Sequence, residues 1–371
     1  MIIFLRSYSI SKDSRLLKYI SICKENNIRY KIIGWDKDHN EQYRDDAYYF
    51  KGGFKLGKKW LNVMAIFKWW IFIFYLIIFR IKNNITAIHS VDLDCGIVGL
   101  IISKLLRAKH IYDIYDVYSA NRNMRGLIKA LVDSLERFVC RKSTYFIMPE
   151  SFRFEQLGID QDNINYNNFI EIENVPQIDR NIELRYISPG QYDFYLAYAG
   201  SLEPRHRGLE NLLKAVSICP NVFLDIAGVG PLTALCKKYS QQFNNICFHG
   251  GLTPQQVYEL EAKAQIIIGM YYKTRDNHLF ASPNKYYEHL ALGKVMLTTS
   301  GTPPGMKVEK YKTGFAIGES LQDIIDFLQS LNGKEDIIDN FSINAYRIWV
   351  DKYSDYNERY LSKQYMKMVG K

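Results

Sequence analysis

The residues best suited to chemistry lie in one segment of the second half of the chain, residues 281–299. It begins Ala-Ser-Pro-Asn-Lys, continues through Glu288 to a glycine, and ends in an apolar run typical of a buried strand. Ser282 is predicted to cap a short helix and Pro283 to occupy its first turn, so that the first backbone N–H groups form an anion site. Lys285 adds a positive charge at the same end, and Glu288 could accept hydrogen bonds from the vicinal hydroxyls of a ribose. The segment therefore predicts a site for a nucleoside diphosphate.

A second basic group follows an apolar run near residue 200. Arg205-His-Arg207-Gly208 lies where the next helix is expected to begin. A guanidinium binds phosphate through two parallel hydrogen bonds, so Arg207 is predicted to contact the same diphosphate. The alternative is a solvated basic turn that binds no ligand.

A glycine turn follows the next predicted strand. Gly228-Val-Gly230-Pro predicts a tight connection at the carboxyl edge of a sheet, where ligands bind in folds of this kind. Thr233 stands where a dinucleotide-binding fingerprint has its third glycine, so no dinucleotide cofactor is predicted.

The first half of the chain has polar residues after predicted strand ends. His89, Asp92 and Asp116 are candidates for positioning a substrate hydroxyl. Asp92-Leu-Asp94 also matches a D-x-D metal-binding pattern. Two carboxylates at a strand end are more often caps than ligands, so no metal is predicted.

The charge of the chain is unevenly placed. Its 371 residues carry a formal net charge of +9, and residues 1–150 hold 25 Lys and Arg against 14 Asp and Glu. A basic first half predicts an anionic partner for that half. No nucleic-acid module or repeat of aromatic and basic residues is recognisable, so an anionic membrane surface is the preferred partner and nucleic acid is not predicted.

Cysteine usage and the first residues favour a cytoplasmic protein. The six cysteines are scattered without a C-x-x-C pair, a pattern typical of a reducing compartment. The chain opens Met-Ile-Ile-Phe-Leu-Arg6, with no basic region before the apolar run. This opening is predicted to be a first strand rather than a signal peptide.

The run Trp60–Ile81 is the most apolar part of the chain. Its uncharged centre, Trp69–Phe79, is bounded by Lys68 and Arg80, and it is about half the length of the ~20 residues that a spanning helix needs. Aromatic and basic flanks favour the headgroup boundary of an anionic membrane. A core helix is the main alternative, and a transmembrane helix is the weaker one.

The segment before this run approaches a phosphate-binding P-loop. Gly52-Gly-Phe-Lys-Leu-Gly-Lys-Lys59 has lysine where serine or threonine would bind magnesium, and no strong apolar strand leads into it. It is therefore predicted to be a basic loop.

The pattern of apolar runs predicts two α/β domains. Short apolar runs alternate with helical patterns in two successive blocks, which indicates parallel sheets, and 371 residues are sufficient for two cores. We predict an N-terminal domain over 1–178 and a C-terminal domain over 190–342. Asn174-Val-Pro176 and Ser188-Pro-Gly190 punctuate the connection, and residues 343–371 have an aromatic helical pattern.

The chain resembles the family-four retaining glycosyltransferases, through motifs that occur in the family's order over most of its length. Segment 281–299 is similar to the family's donor-binding segment. The other similar segments are Asp13–Lys18 with Gly34-Trp35-Asp36, Ala87–Asp92, Tyr198–Leu202 with Arg207-Gly208, and Ile226–Pro231. Each is a weak signal alone, and the ordered set is a strong one.

The resemblance implies the GT-B fold, an α/β architecture of two Rossmann-like α/β/α domains facing a central cleft. The first domain would bind the acceptor and the second the nucleotide sugar, with a C-terminal helix (343–371) returning to the first. It also implies retention of anomeric configuration without metal or cofactor. The implied donor-binding residues are Ser201, Arg207, Gly228, Gly230, Ser282, Asn284, Lys285 and Glu288. The implied acceptor-side residues are His89, Asp92 and Asp116, and those implied in catalysis are Arg207, Lys285 and Asp116.

Three positions depart from the family pattern. Phe280 replaces the first of two glutamates, of which Glu288 is the second; Tyr115 lies near a position where the family often has histidine; and Ser201 replaces a basic residue. Lys285 would supply the charge missing at Ser201.

We therefore expect a glycosyltransferase that moves a sugar from a nucleoside-diphosphate donor to a lipid-linked saccharide acceptor in surface polysaccharide synthesis. It would work in the cytoplasm, peripherally at the inner face of the cytoplasmic membrane, through Trp60–Ile81. A nucleotide-sugar epimerase of the same fold and a non-catalytic subunit that binds nucleotide sugar or lipid are the alternatives.

Overall fold

The computed structural model describes residues 1–11, 13–37, 39, 41–52, 59–81, 84–159, 167–178 and 190–370. It divides the chain into two compact units. Unit 1 contains Met1–Glu173 and Asn357–Lys371, and unit 2 contains Asn174–Tyr356. The chain thus enters unit 2 at Asn174, a few residues before the predicted boundary at 178. Residues 53–58 of the P-loop-like segment, and Ser188 and Pro189 of the predicted connection, lie outside the described residues.

Unit 1 is built on a parallel sheet, which in the described residues has the strand order β3-β2-β1-β4-β5-β6-β7. Its central strands β1 and β4 are buried along their whole length, as parallel sheets covered on both faces require. The strands are β1 Ile2–Arg6, β2 Tyr30–Asp36, β3 Ala47–Lys51, β4 Ala87–Val91, β5 Lys109–Asp113, β6 Tyr145–Met148 and β7 Phe169–Glu171.

Helices cover both faces of this sheet. The helices are α1 Ser14–Glu25, α2 Lys59–Tyr75 with a π-helical continuation over Leu76–Arg80, α3 Leu93–Leu105, α4 Tyr118–Asn121, α5 Gly126–Lys142 and α6 Arg153–Gln156. Helices α2, α3 and α5 lie side by side on one face. On the other face, Phe4 of β1 and Tyr19 of α1 stack with Tyr365 near the end of the chain.

Helix α2 is half core and half surface. Trp69 and Ile73 are buried against the sheet, whereas Phe67 and Ile71 are exposed. Over Asn62–Arg80 the helix is long and apolar enough to cross a membrane by length and composition, and 28% of that stretch is buried in the protein. The core interpretation of this run therefore fits the side that carries Trp69 and Ile73, and the interfacial interpretation of its exposed side stays a prediction.

The last residues of the chain pack in unit 1. Residues Asn357–Ser362 form a π-helical turn, followed by α14, Lys363–Val369. Tyr360 donates a hydrogen bond to the carbonyl of Glu171 (3.1 Å), and Lys109 donates one to the carbonyl of Met368 (3.1 Å). These contacts join the end of the chain to strands β5 and β7.

The return to unit 1 begins later than the predicted residue 343. Helix α13, Glu335–Ile348, and a π-helical turn at Trp349–Tyr353 belong to unit 2. There Ile338 enters the core and Tyr353 packs on Tyr287 with ring centroids 5.2 Å apart. The aromatic repeat that suggested one long helix is therefore divided between the two units.

Unit 2 has a parallel sheet of order β10-β9-β8-β11-β12-β13 in the residues that the structure describes. The strands are β8 Phe194–Ala199, β9 Val222–Ala227, β10 Ile246–Gly250, β11 Ile266–Gly269, β12 Val295–Thr299 and β13 Gly314–Ile317. The helices are α7 Leu209–Ser217, α8 Thr233–Gln242, α9 Pro254–Ala262, α10 Asn284–Ala291, α11 Pro303–Tyr311, α12 Leu321–Gln329 and α13 Glu335–Ile348, and α14 of unit 1 spans Lys363–Val369. The crossover connections place the ends of β8, β9 and β11 and the start of α10 at the carboxyl edge of the sheet.

Candidate functional site

Two glycines shape the carboxyl edge of the unit 2 sheet. Gly228 has φ +148° and Gly230 has φ +157°. A Cβ at Gly228 would lie 1.9 Å from the carbonyl oxygen of Gly200, and one at Gly230 would lie 2.7 Å from that of Leu202. Glycine is therefore required for the loops after β8 and β9 to approach this closely. The backbone N–H of Leu202 donates a hydrogen bond to the carbonyl of Val229 (3.1 Å), which joins the two loops.

Arg207 lies on the loop that joins β8 to α7. Gly208, with φ +67°, begins the helix directly after it. The guanidinium of Arg207 lies over the ring of Tyr271, 5.0 Å from its centroid. Among the described residues Arg207 forms no ion pair, and its buried Nε atom has no hydrogen-bond partner. A cation without a counter-ion at this edge can bind an anionic ligand.

Lys285 already has partners. Its ammonium lies 2.8 Å from Glu288 Oε2 and pairs also with Glu261, the penultimate residue of α9. Burial lowers the pKa of Lys285, but the two carboxylates more than offset this and raise it overall. Burial also raises the pKa of Glu261, which Lys285 only partly opposes. Glu261 and Glu288 thus share the single ammonium of Lys285.

The start of α10 differs from the predicted cap. Pro283 has an extended backbone and is itself the N-cap, so the helix begins at Asn284, which is exposed. Ser282 therefore caps nothing: its buried Oγ has no partner among the described residues, and its carbonyl accepts a hydrogen bond from Asn174 (2.8 Å). The predicted capping role of Ser282 is wrong, because α10 begins one residue later than predicted and its N-cap is Pro283.

Ser201 is exposed at the same edge, after β8. Its carbonyl accepts a hydrogen bond from the hydroxyl of Tyr198 (2.7 Å).

His278, two residues before Phe280, is buried with Nδ1 2.9 Å from the carbonyl of Tyr272, and burial lowers its pKa to about 4. His278 is thus neutral near pH 7.

The carboxyl edge of the unit 1 sheet is a network of internal ion pairs. Arg6 lies 2.6 Å from both Asp13 and Asp92, and Arg15 lies 2.9 Å from Asp113. Burial raises the pKa of Asp92 to about 6, although Arg6 acts in the opposite direction. Most of the charge at this edge is therefore compensated within unit 1.

The three acceptor-side candidates differ in accessibility. His89 is fully buried between Phe4, Tyr19 and Tyr365, so in this arrangement it cannot touch an acceptor, and its predicted role does not fit its position in the core. Asp92 is partly exposed. The side chain of Asp116 is 35% exposed and lies 3.2 Å from Arg153. Asp116 is thus the most accessible of the three.

Among the described residues, the group with the best arrangement of potential metal ligands does not include the D-x-D pair. Asp94 is buried, 3.9 Å from Arg122. The one group of three converging donors in the described part of the chain is Asp225, Cys247 and His249, whose ligand atoms lie within 4.8 Å of one another on β9 and β10. None of these three belongs to the predicted site.

Solved structures resemble this architecture over the whole chain. Sucrose-phosphate synthase from Thermosynechococcus elongatus has a TM-score of 0.71 at 12% identity, covering 100% of this chain and 99% of that one. HepE from Anabaena, solved in complex with UDP, has a TM-score of 0.67 at 16% identity, covering 98% and 99%. The fold is GT-B.

The glycosyltransferase WaaG, described as involved in lipopolysaccharide biosynthesis, is a further GT-B structure with a TM-score of 0.65 at 14% identity and complete coverage of both chains. No protein-family model and no curated protein sequence matches the chain. At these identities the likeness establishes the GT-B fold of this chain, and the site must be argued from its own residues.

One charged residue at the carboxyl edge of the unit 2 sheet was not predicted from the sequence. Glu261 is fully buried beneath Lys285, 24 positions away in the chain. Glu259, two residues earlier on α9, is exposed. The signal that could have found Glu261 is its place between two apolar neighbours, Leu260 and Ala262, at the end of a helix.

Proposed function

We propose that the protein is a glycosyltransferase that uses a nucleoside-diphosphate sugar, bound at the carboxyl edge of the unit 2 sheet. The observation that carries this proposal is Arg207, a cation with no counter-ion among the described residues, on the edge where Lys285 and Glu288 also lie. The GT-B fold and the UDP complex of the similar HepE structure support it.

The arrangement suits stabilisation of a leaving diphosphate. Negative charge grows on the diphosphate as the glycosidic bond breaks, and Arg207 is free to neutralise it. Lys285 is paired with two carboxylates, so its role is to line the site and to hold the side chain of Glu288 in position. Glu288 then accepts hydrogen bonds from the ribose hydroxyls. No protein nucleophile is needed if the leaving phosphate oxygen accepts the proton of the acceptor hydroxyl on the same face, which gives retention without a metal.

The acceptor is proposed to be a lipid-linked saccharide in surface polysaccharide synthesis, met at the inner face of the cytoplasmic membrane. Two observations support this finer proposal: the excess of basic residues in the first half of the chain, and the outer side of α2, where Phe67, Ile71 and Phe79 are exposed. Asp116 and Asp92 would contact the sugar hydroxyls of the acceptor.

Thermal shift with a panel of nucleotide sugars tests the donor assignment. One donor should raise the melting temperature in proportion to the logarithm of its concentration. Arg207→Ala should abolish this shift. Arg205→Ala, which removes an equal charge from the exposed part of the same loop, should retain it. Absence of a shift with every donor would refute the proposal.

Turnover assays separate the three functions that fit a donor site. Transfer to a membrane lipid extract supports the glycosyltransferase. Conversion of the nucleotide sugar without any acceptor would indicate the epimerase, and binding without turnover, even with extract, would indicate the non-catalytic subunit.

A further inference from the structure

Exposed apolar side chains are concentrated on one helical layer of unit 1. More than half of the large apolar residues that are exposed in the described chain lie on α2 with its π-helical continuation, on α3 with Leu106 at its end, and on α5. They are Val63, Met64, Phe67, Ile71, Tyr75, Ile78 and Phe79, then Ile101, Leu105 and Leu106, then Leu127, Ile128, Leu131, Leu135 and Phe138. We call this the three-helix surface.

Helix α5 is the edge of this surface that the sequence did not indicate. Its exposed apolar residues recur at intervals of three or four along one side, and Leu127 is 84% and Leu131 70% exposed. Its opposite side, with Val139 and Cys140, enters the core with β5 and β6. The helix therefore has an outer apolar face that the core does not use.

The charges of the three-helix surface are of one sign. The carboxylates of α3 and α5, which are Asp94, Asp133 and Glu136, are all buried. Every exposed charged side chain among the described residues of the three helices is basic. Together with the segments that flank them, the exposed basic residues are Lys68, Arg80, Lys104, Arg107, Arg122, Arg125, Arg141 and Lys142.

We propose that the three-helix surface rests on an anionic lipid bilayer, with α5 inserting apolar side chains alongside α2. This inference rests on the proposed function, which it extends from one helix to three. Apolar residues interspersed with Lys and Arg suit the headgroup boundary, where the side chains insert and the cations meet lipid phosphates. A second copy of the chain fits less well, because a symmetric contact would place basic residues against basic residues.

The position of the three-helix surface suits an acceptor carried by lipid. Helices α2, α3 and α5 each begin at the carboxyl edge of the sheet, and Asp92 is the N-cap of α3. Leu127 and Ile128 begin α5 just after the segment that contains Asp116 and Arg122. A lipid in the bilayer would thus have its polar head beside the accessible carboxylates of unit 1.

Vesicle flotation tests the contribution of α5. The wild-type chain should float with vesicles of phosphatidylcholine and phosphatidylglycerol, less at high salt, and not with phosphatidylcholine alone. Leu127→Ser/Leu131→Ser/Phe138→Ser should lower the bound fraction about tenfold or more. The matched control is Ile218→Ser/Ile337→Ser/Ile343→Ser, which removes three exposed apolar residues from unit 2 and should float as the wild type does.

Folding and oligomeric state complete the test. Circular dichroism and donor-induced thermal shift should be unchanged in the α5 variant, because its side chains lie outside the core. Normal flotation of that variant would overturn the role of α5 while leaving the donor proposal intact. A wild-type dimer that the α5 substitutions convert to a monomer, without loss of lipid binding, would identify the surface as an interface between copies and would also overturn the inference.

Discussion

The two sheet edges of this protein contain similar residues in opposite states. At the edge of unit 1, Arg6 and Arg15 are bound to Asp13, Asp92 and Asp113. At the edge of unit 2, Arg207 has no counter-ion among the described residues. The difference leaves Arg207 with a charge available to an anionic ligand, whereas the charges of Arg6 and Arg15 are compensated within unit 1.

The first prediction removes a compensated charge. Arg6→Ala should destabilise unit 1 by about 3–5 kcal/mol, because the buried carboxylate of Asp13 and the partly buried carboxylate of Asp92 would both lose their partner. Denaturant unfolding followed by tryptophan fluorescence measures this, and Trp35 and Trp69 report on unit 1. Unchanged stability would mean that the network is solvated and that the comparison of the two edges does not hold.

The second prediction removes the uncompensated charge. Arg207→Ala should lower kcat/KM by about 10²–10³, the typical cost of one lost donor to a developing anion, with little change in stability. Steady-state transfer kinetics measure the loss, and Arg205→Ala is the matched control. A variant with normal kcat/KM but reduced stability would place Arg207 with Arg6, as a structural residue.

Sequence patterns predicted the elements that depend on local order. The two parallel sheets follow from the alternation of apolar runs, and the connection at Gly228–Gly230 follows from turn chemistry. The edge strands β3, β7 and β13 and the contact between Lys285 and Glu288 were not predicted. The capping role of Ser282 failed locally, by one residue, whereas other misjudged positions depend on contacts far along the chain. His89 is buried because Tyr365 covers it, and Trp69 is buried because α2 packs on the sheet.

The exposed apolar side of α5 was not predicted from the sequence, and the reason is different. An amphipathic pattern shows that a helix has an apolar side, and the usual inference is that this side faces the core. Helix α5 has apolar residues in two directions, and only packing shows that Leu127 and Leu131 point outward.

The third prediction concerns the lysine that both carboxylates share. Glu288→Ala should weaken donor binding by about 1–3 kcal/mol, since the ribose hydroxyls lose a charged acceptor. Glu261→Ala should instead cost about 1–3 kcal/mol of stability, because buried Lys285 loses one counter-ion. Titration calorimetry and thermal unfolding distinguish the two. Equal effects of both variants on donor affinity would place Glu261 in contact with the donor.

The smallest predicted effect comes from a buried histidine of unit 1. His110 lies 2.9 Å from Ser143 and 3.1 Å from Ser90, and burial lowers its pKa to about 3. The unfolded chain, with a histidine pKa of about 6.5, binds more protons between these values, so stability is lost as the pH falls below 6.5. The loss attributable to His110 should be under about 1 kcal/mol at pH 6. Unfolding free energies at pH 8 and pH 6 should therefore differ less in His110→Gln than in the wild type, with the pH 8 values giving the packing cost of the substitution alone. An equal difference in both proteins would mean that His110 titrates normally and that this part of the core admits water.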